Sequence, residues 1–450
     1  MKRLIATVLC GLMLVGTMTG CGSEAKQDGP KVINVFSFTD EVPKMVQKYL
    51  DTHPELGYTM KETIIATTDG AYQPALDEAL KAGGETAPDI YMAEAAFVLK
   101  YCQGDAAGYA AAYKDLGIDI DKALKESDTA KYAYEIGTRP SDGAVVGLPY
   151  QSTGGCFIYN RSVAKDTWGT DDPATIQAKI GGGSGNWDQF WKAAEDLKAK
   201  GYAIISGDGD IWHAIENSSD SGWLTADGKL NIDPKREAFL DISKKLKDNN
   251  YHNDTTDWTE AWYADMAEAG EKKVLGFFGP AWLINYTMAG NSGGSKPGEG
   301  TYGDWAVCNS PVGFSWGGTW VLANKDVPSY KKDIVKDIIS WITLDSDENS
   351  LQYMWANGTL NGEGGTKDTV CSGTVMSKSN GELDFLGGQN MFEYFVPANQ
   401  YANGRNLTQY DETINSAWRD AVRNYAAGNC TRDEAIANFR AKVKADLGIE

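Results

Sequence analysis

Histidine is scarce: three residues in 450, His53, His213 and His252, no two of them within helical reach. A metal centre built on imidazole is therefore not expected. Basic side chains are outnumbered 42 to 62, and the formal charge of −20 argues against nucleic acid as a ligand, since phosphate binding needs clustered Lys and Arg. No glycine-rich loop of the nucleotide-phosphate type occurs, so any energy source must lie in another protein. Beyond the N-terminal segment no apolar run approaches the length of a membrane-spanning helix. Cysteine is sparse and widely spaced. With Cys10 and Cys21 set aside, Cys102, Cys156, Cys308, Cys371 and Cys430 remain, an odd number at spacings that suggest neither a disulfide framework nor zinc. Buried thiols are expected, with room for one bridge, and no cofactor is implied. At 42% hydrophobic and 23% charged the chain is globular, of a length that suits two large domains or about three smaller ones. Tryptophan is the residue in excess, 14 in all, the first at Trp168. Such rings serve either an aromatic core or a surface that stacks on a ligand.

The N-terminus reads as a secretory signal. Lys2 and Arg3 precede an apolar stretch from Leu4 to Val15, too short to cross a bilayer. Met18-Thr19-Gly20-Cys21 then resembles a bacterial lipobox, which implies cleavage after residue 20, lipidation of Cys21 and anchorage at the extracellular face of the cell membrane. Residues 21–30 form a polar tether. Loss of Lys2 and Arg3 leaves a mature charge of −22, so attachment would rest on the lipid and not on anionic head groups.

Further along, strand-like runs alternate with amphipathic segments. Val32–Phe38, Ile64-Ile65 and Pro88–Met92 read as strands, with helical patterns over Glu41–Leu50, Pro74–Leu80 and Glu94–Tyr101. This alternation predicts an α/β, doubly wound sheet, whose ligands bind beyond the C-terminal strand ends, near Thr39, Asp40, Tyr91 and Glu94. Val145–Asn160 is a long extended run broken by Pro149 and Gly154-Gly155, as suits a strand leaving one sheet for another with glycines allowing a bend. Beyond it come a helix over Trp187–Lys200, strands at Tyr202–Ser206, Val274–Phe278, Trp305–Val307 and Thr319–Ala323, and helices at Pro234–Asp248, Trp258–Glu271, Ser329–Leu344, Thr408–Ala427 and Arg432–Leu447.

Five segments in order, APDIYMAE, GLPYQSTGGCFIYN, NWDQFWKAAEDLKAKG, FFGPAWLINY and SAWRDAVRNYAAGNCTRDEAIANFRAKV, resemble the family 1 extracellular solute-binding proteins of bacterial ABC importers, the carbohydrate-binding branch that includes maltose-binding protein. The resemblance implies a two-lobed, periplasmic-binding-protein-like fold of type II, with two doubly wound sheets joined by hinge strands. The expected division is 31–152 plus 308–350 for the N-lobe and 153–307 plus 351–450 for the C-lobe. It further implies a monomeric, non-enzymatic receptor that closes on a sugar and passes it to permease subunits driven by a separate ATPase. Carried over by position, Thr39 and Asp40 match the polar loop after the first strand, and Glu94 the acidic position after the third. Ser152 and Thr153 match the polar hinge, Asp210 and Trp212 an acid-plus-aromatic loop, and Trp282 the stacking ring after Gly-Pro.

The chemistry fits a pyranose, which offers an apolar C–H face to rings and a rim of hydroxyls to carboxylates and amides. Trp212, Trp223, Trp282, Trp316 and Trp320 fall at predicted strand ends or turns and are stacking candidates. Trp187, Trp191, Trp262 and Trp341 fall on amphipathic helices and read as core. Tyr72, Tyr150 and Gln151 lie beside prolines or the hinge and complete the candidate set. Asp208 and Asp210, in GDGD, resemble part of a calcium loop but lack its later Glu, so no metal is assigned. A secreted glycoside hydrolase, with carboxylates and aromatics in its cleft, and a receptor for a polyamine are the alternatives.

Overall fold

The computed structural model describes residues 29–450 apart from 68, 69, 363 and 405. The expected signal, the lipobox with Cys21 and most of the tether lie outside the described residues. Nine strands organise two sheets: β1 (Val32–Ser37), β2 (Thr59–Ile64), β3 (Ile90–Glu94), β4 (Gly147–Pro149), β5 (Gly154–Asn160), β6 (Gly276–Gly279), β7 (Trp305–Cys308), β8 (Phe314–Ser315) and β9 (Thr319–Ala323). The first sheet has the order β2-β1-β3-β9-β4. Its first three strands are parallel, and β9 runs antiparallel to both β3 and β4. In the second sheet β5 is central, antiparallel to β6 on one side and to β7 and β8 on the other. Parallel bridges Ala203–Val274 and Ile205–His252 extend that sheet where a full strand over Tyr202–Ser206 is expected. Both sheets are thus mixed, because the strands that cross between lobes enter against the parallel direction.

Alternation along each strand sorts side chains onto opposite faces. In the first lobe Ile33, Val35, Ile90, Met92, Val321 and Ala323 pack on one face, with α1 (Glu41–Thr52) and the helix Lys332–Thr343. Phe36, Tyr91, Ala93, Trp320 and Leu322 pack on the other, with α2 (Tyr72–Ala82). Helix α1 buries Val42, Met45, Val46, Tyr49 and Leu50, the i, i+3, i+4 stripe its sequence predicts. The second lobe repeats the plan. Phe157, Tyr159, Phe278, Ala306, Cys308 and Phe314 face α3 (Asp188–Ala199), α4 (Asp208–Ser218), α5 (Asp411–Ala426) and α6 (Arg432–Leu447). Cys156, Ile158, Phe277, Trp305 and Val307 face a second core that takes in Phe385, Phe392 and Phe395.

The chain passes between sheets at residues 150–153 and again at 316–318, between β8 and β9. A third segment runs beside the first crossing: Gln151 bridges Val370, Ser152 N–H donates to Thr369 O and Cys371 N–H to Tyr150 O. Cys308 and Phe314 pack with Phe157 in the second lobe, and the chain joins the first sheet again at β9. Gly154 has an ordinary φ; a Cβ there would lie 2.5 Å from the backbone of Ala398 and Asn399, so close approach, and not a bend, requires glycine. At Gly317, φ is +77° and a Cβ would press on the Trp282 ring at 3.2 Å. Cys102, Cys156, Cys308, Cys371 and Cys430 are all free thiols, the first four buried.

Candidate functional site

A cavity of about 300 Å³ opens where the ends of both sheets meet. Glu94, from the end of β3, and Trp320 line it from the first lobe; Ser315, Trp316 and Gly317 line it from the second crossing. Thr153 contributes from the first crossing, and α4 and α5 close it from the second lobe. Grooves of about 650 Å³, beside Arg139 and Lys325, and about 880 Å³, beside Trp187 and Tyr401, are larger, but neither collects the strand ends of both sheets.

Trp316 is the central ring. His213 stacks on it at 3.6 Å between centroids and 12° between planes, and Trp282 meets it nearly edge-on at 4.7 Å. Trp282 Nε1–H donates to the backbone carbonyl of Trp316 at 3.0 Å, which fixes the Trp282 ring against the crossing. Trp258 lies parallel to Trp282 at 6.3 Å and 5.9 Å from Trp316 and is 41% exposed, while Tyr286, 64% exposed, meets Trp282 edge-on at 6.5 Å. The three tryptophans pack against one another beside the cavity, and of the three only Trp316 lines it. Trp258 is held at φ +65°, a conformation a bulky residue adopts only when its surroundings impose it.

A further wall comes from α5. Its residues Ile414, Ala417, Trp418, Ala421 and Val422 are buried in the lobe, while Glu412, Asn415, Ser416, Arg419 and Arg423 form the stripe that lines the cavity. Arg419 forms an ion pair with buried Asp257, and Arg423 lies 3.5 Å from both Asp257 and Asp208. Despite its burial, Asp257 is held well below the usual carboxylate range by His213 and Arg419. The acids that face the cavity behave oppositely. Burial, with Glu412 and Glu216 nearby, pushes Glu94 up to about 7, against hydrogen bonds from the Ala96 and Ala95 backbone. Burial likewise raises Asp411 to about 7, and raises Glu412.

The expected site residues divide. Glu94, Trp212, Trp316 and Trp320 line the cavity. Trp282 reaches it through Trp316. Trp212 and Trp320 are nonetheless buried, Trp212 against Trp223 and Phe239 and Trp320 with its Nε1–H donated to Ala133 O, so they support the wall and offer no free face. Thr39 is half-buried at the end of β1, and Asp40 is exposed and paired with Lys44 at 2.5 Å; neither lines the cavity. Tyr72 is a core residue: its hydroxyl donates to Met92 O at 2.6 Å and to Phe36 O at 3.3 Å. Tyr150 donates to Glu41, and Gln151 donates to Asp368 at 3.0 Å, in a polar cluster at the first crossing. Asp210 is not on a loop. It sits in the first turn of α4, where its carboxylate accepts from the N–H groups of Ser206 and Gly207 and from Trp262 Nε1. With those bonds made it is unavailable to a ligand. Among the described residues no group of three His, Cys, Asp or Glu side chains could hold a metal ion.

His213, Glu216, Trp258, Arg419 and Arg423 are not foreseen from the sequence. Arg419 and Arg423 lie four apart opposite the apolar stripe of Trp418 and Val422, which was their available signal. Trp258 lies before its helix, which starts at Glu260 and not at Trp258.

A cavity between two α/β lobes joined by crossing strands is the architecture of a receptor that binds its ligand at the lobe interface. A family model described as bacterial extracellular solute-binding protein matches residues 37–348, and the chain belongs to that family. Among solved structures, one described as extracellular solute-binding protein family 1 aligns with a TM-score of 0.71 at 17% identity, over 92% of this chain and 99% of that one. The galacto-N-biose/lacto-N-biose I-binding protein of the ABC transporter from Bifidobacterium longum, in complex with lacto-N-biose, aligns at 0.67 and 16%, over 94% and 98%. The sugar-binding protein MalE of Xanthomonas citri aligns at 0.67 and 14%, over 93% and 97%. Comparison with curated protein sequences finds no match.

Proposed function

We propose that this protein is an extracytoplasmic receptor for a saccharide of two or more rings, which it delivers to an ABC importer by closing its lobes on the cargo. The carrying observation is half-buried Trp316, which lines the cavity together with the stripe of carboxylates, amides and guanidinium groups on α5 and packs against Trp282 and Trp258 beside it. Rings accept the C–H face of a pyranose while the polar stripe reads its hydroxyls. Trp258 and Tyr286, exposed beside Trp316 and Trp282, add ring surface for a second pyranose. The similar structures, one in complex with lacto-N-biose and one described as a sugar-binding protein, support the same cargo class. In this reading the mature chain is a monomer, held at the extracellular face of the membrane by a lipid on Cys21. It docks in its closed form on permease subunits driven by a separate ATPase. Ligand contacts on both lobes shift the population towards that form.

The test is a thermal-shift screen of oligosaccharides followed by calorimetric titration. A matching sugar raises the melting temperature, because it binds the folded state alone, and gives a Kd in the micromolar range or below. Release of shortened sugars during the incubation would overturn the receptor in favour of a hydrolase.

A further inference from the structure

Five acidic side chains, Glu94, Glu216, Asp411, Glu412 and Asp420, line the cavity with two basic ones, Arg419 and Arg423. Both guanidinium groups are already matched by Asp257 and Asp208 behind them. Four of the acids are instead held by neutral donors. Glu94 accepts from Ala96 N–H at 2.7 Å, Glu412 from Gln73 Nε2 at 2.6 Å, Glu216 from the Asn415 amide, and Asp411 Oδ1 from Thr408. Among the described residues none of these four has a Lys or Arg within ion-pair distance, although buried Arg236, which donates to Ser221 O, acts on Glu216 and Asp411 from within the lobe. His213 Nδ1 is 3.9 Å from Glu216.

An independent observation marks the same wall. Asp411 is 3% exposed, yet its Oδ2 has no hydrogen-bond partner. The ring nitrogens of His213, 8% exposed, each lie 3.9 Å from a carboxylate, Nδ1 from Glu216 and Nε2 from Asp257, outside hydrogen-bond distance. Native interiors leave few buried polar atoms unpaired, and a ligand is one way to complete them. A neutral hydroxyl would supply a hydrogen bond but no charge. Closing one lobe over several like-charged carboxylates is costly unless they take up protons, as the raised Glu94 and Asp411 do near neutral pH, or a cation accompanies them. A primary ammonium brings three donors and that charge together.

Building on the saccharide-receptor reading above, we infer that the cargo is an aminated sugar: a saccharide whose free, protonated amino group sits among Glu94, Glu216, Asp411 and Glu412 while its ring stacks on Trp316.

Matched saccharides that differ at one carbon, bearing a free amine, an acetamide or a hydroxyl there, are screened by thermal shift and then titrated at low and high salt. The glucosamine disaccharide, its N,N′-diacetyl form and cellobiose make one such set. The amine form is expected to bind about tenfold tighter or better than its partners, a preference that shrinks with salt. Glu94→Gln and Glu412→Gln, the latter on an exposed helix position, should each reduce the preference while leaving the melting temperature of the free protein near wild type. Equal or tighter binding of the hydroxyl or acetamide forms overturns the inference and leaves the saccharide receptor standing. Binding of spermidine with no response to any saccharide overturns both, as does a screen in which no saccharide raises the melting temperature.

Discussion

Trp316 is covered by His213 on one side and braced at its edge by Trp282, so its geometry is set before any ligand arrives. A preorganised ring loses little entropy on binding. Replacing Trp316 or Trp282 by Ala is expected to weaken saccharide binding by about 1–3 kcal/mol, as alanine losses at stacking sites do. Titration of either variant with wild-type affinity would remove that ring from the site. Tyr72 belongs to the opposite case. Tyr72→Phe removes a hydroxyl bonded to two buried carbonyls and should lower stability by about 0.5–1.5 kcal/mol in urea unfolding, with the saccharide Kd unchanged. The residue type was legible in both cases, but ring environment was not. Trp212, Trp316 and Trp320 all stand at ends or turns in the sequence, yet neighbours from distant segments bury two and leave the third part-open.

At the scale of elements, α5 joins the core to the site. Its apolar face packs in the second lobe, and its polar face holds Arg419 against Asp257. Removing one member of a buried pair strands the other, so Arg419→Ala should cost about 3–5 kcal/mol in urea unfolding at neutral pH. A loss under about 1 kcal/mol would show that Arg423 alone suffices to hold Asp257. The first crossing carries a second buried group. Tyr150 donates to Glu41, and burial, followed by the nearby Asp368 carboxylate, pushes Glu41 up from 4.5 to about 8. The folded state therefore keeps a proton that the unfolded chain releases. The associated stability is fully present below about pH 4.5 and is lost as the pH rises towards 8. Melting curves of Glu41→Gln are expected to fall less steeply between pH 5 and 8 than those of wild type; parallel curves would refute this. Asp368, itself raised to about 7, keeps the slope from vanishing.

For the whole molecule, a site divided between lobes makes binding and shape the same event. Cargo that contacts Glu94 on one side and α5 on the other favours the form in which those walls are closest. Small-angle scattering should show the radius of gyration fall when a saturating saccharide is added, and an unchanged radius would argue against closure as the signal to the permease. Much of the fold could be read locally. The division of alternate residues between two cores in β1, β3, β5 and β9, the apolar stripe of α1 and the crossing at 150–153 all follow from short-range pattern, because strand and helix periodicity depends on near neighbours. The sequence by itself determined two α/β lobes, a crossing between them and an excess of rings to be placed. The tertiary structure decided which side chains share one cavity. Glu94 and Arg419 meet only because the second crossing returns the chain to the first sheet and α5 then packs on the second lobe, and no periodicity within either segment encodes a partner that far away.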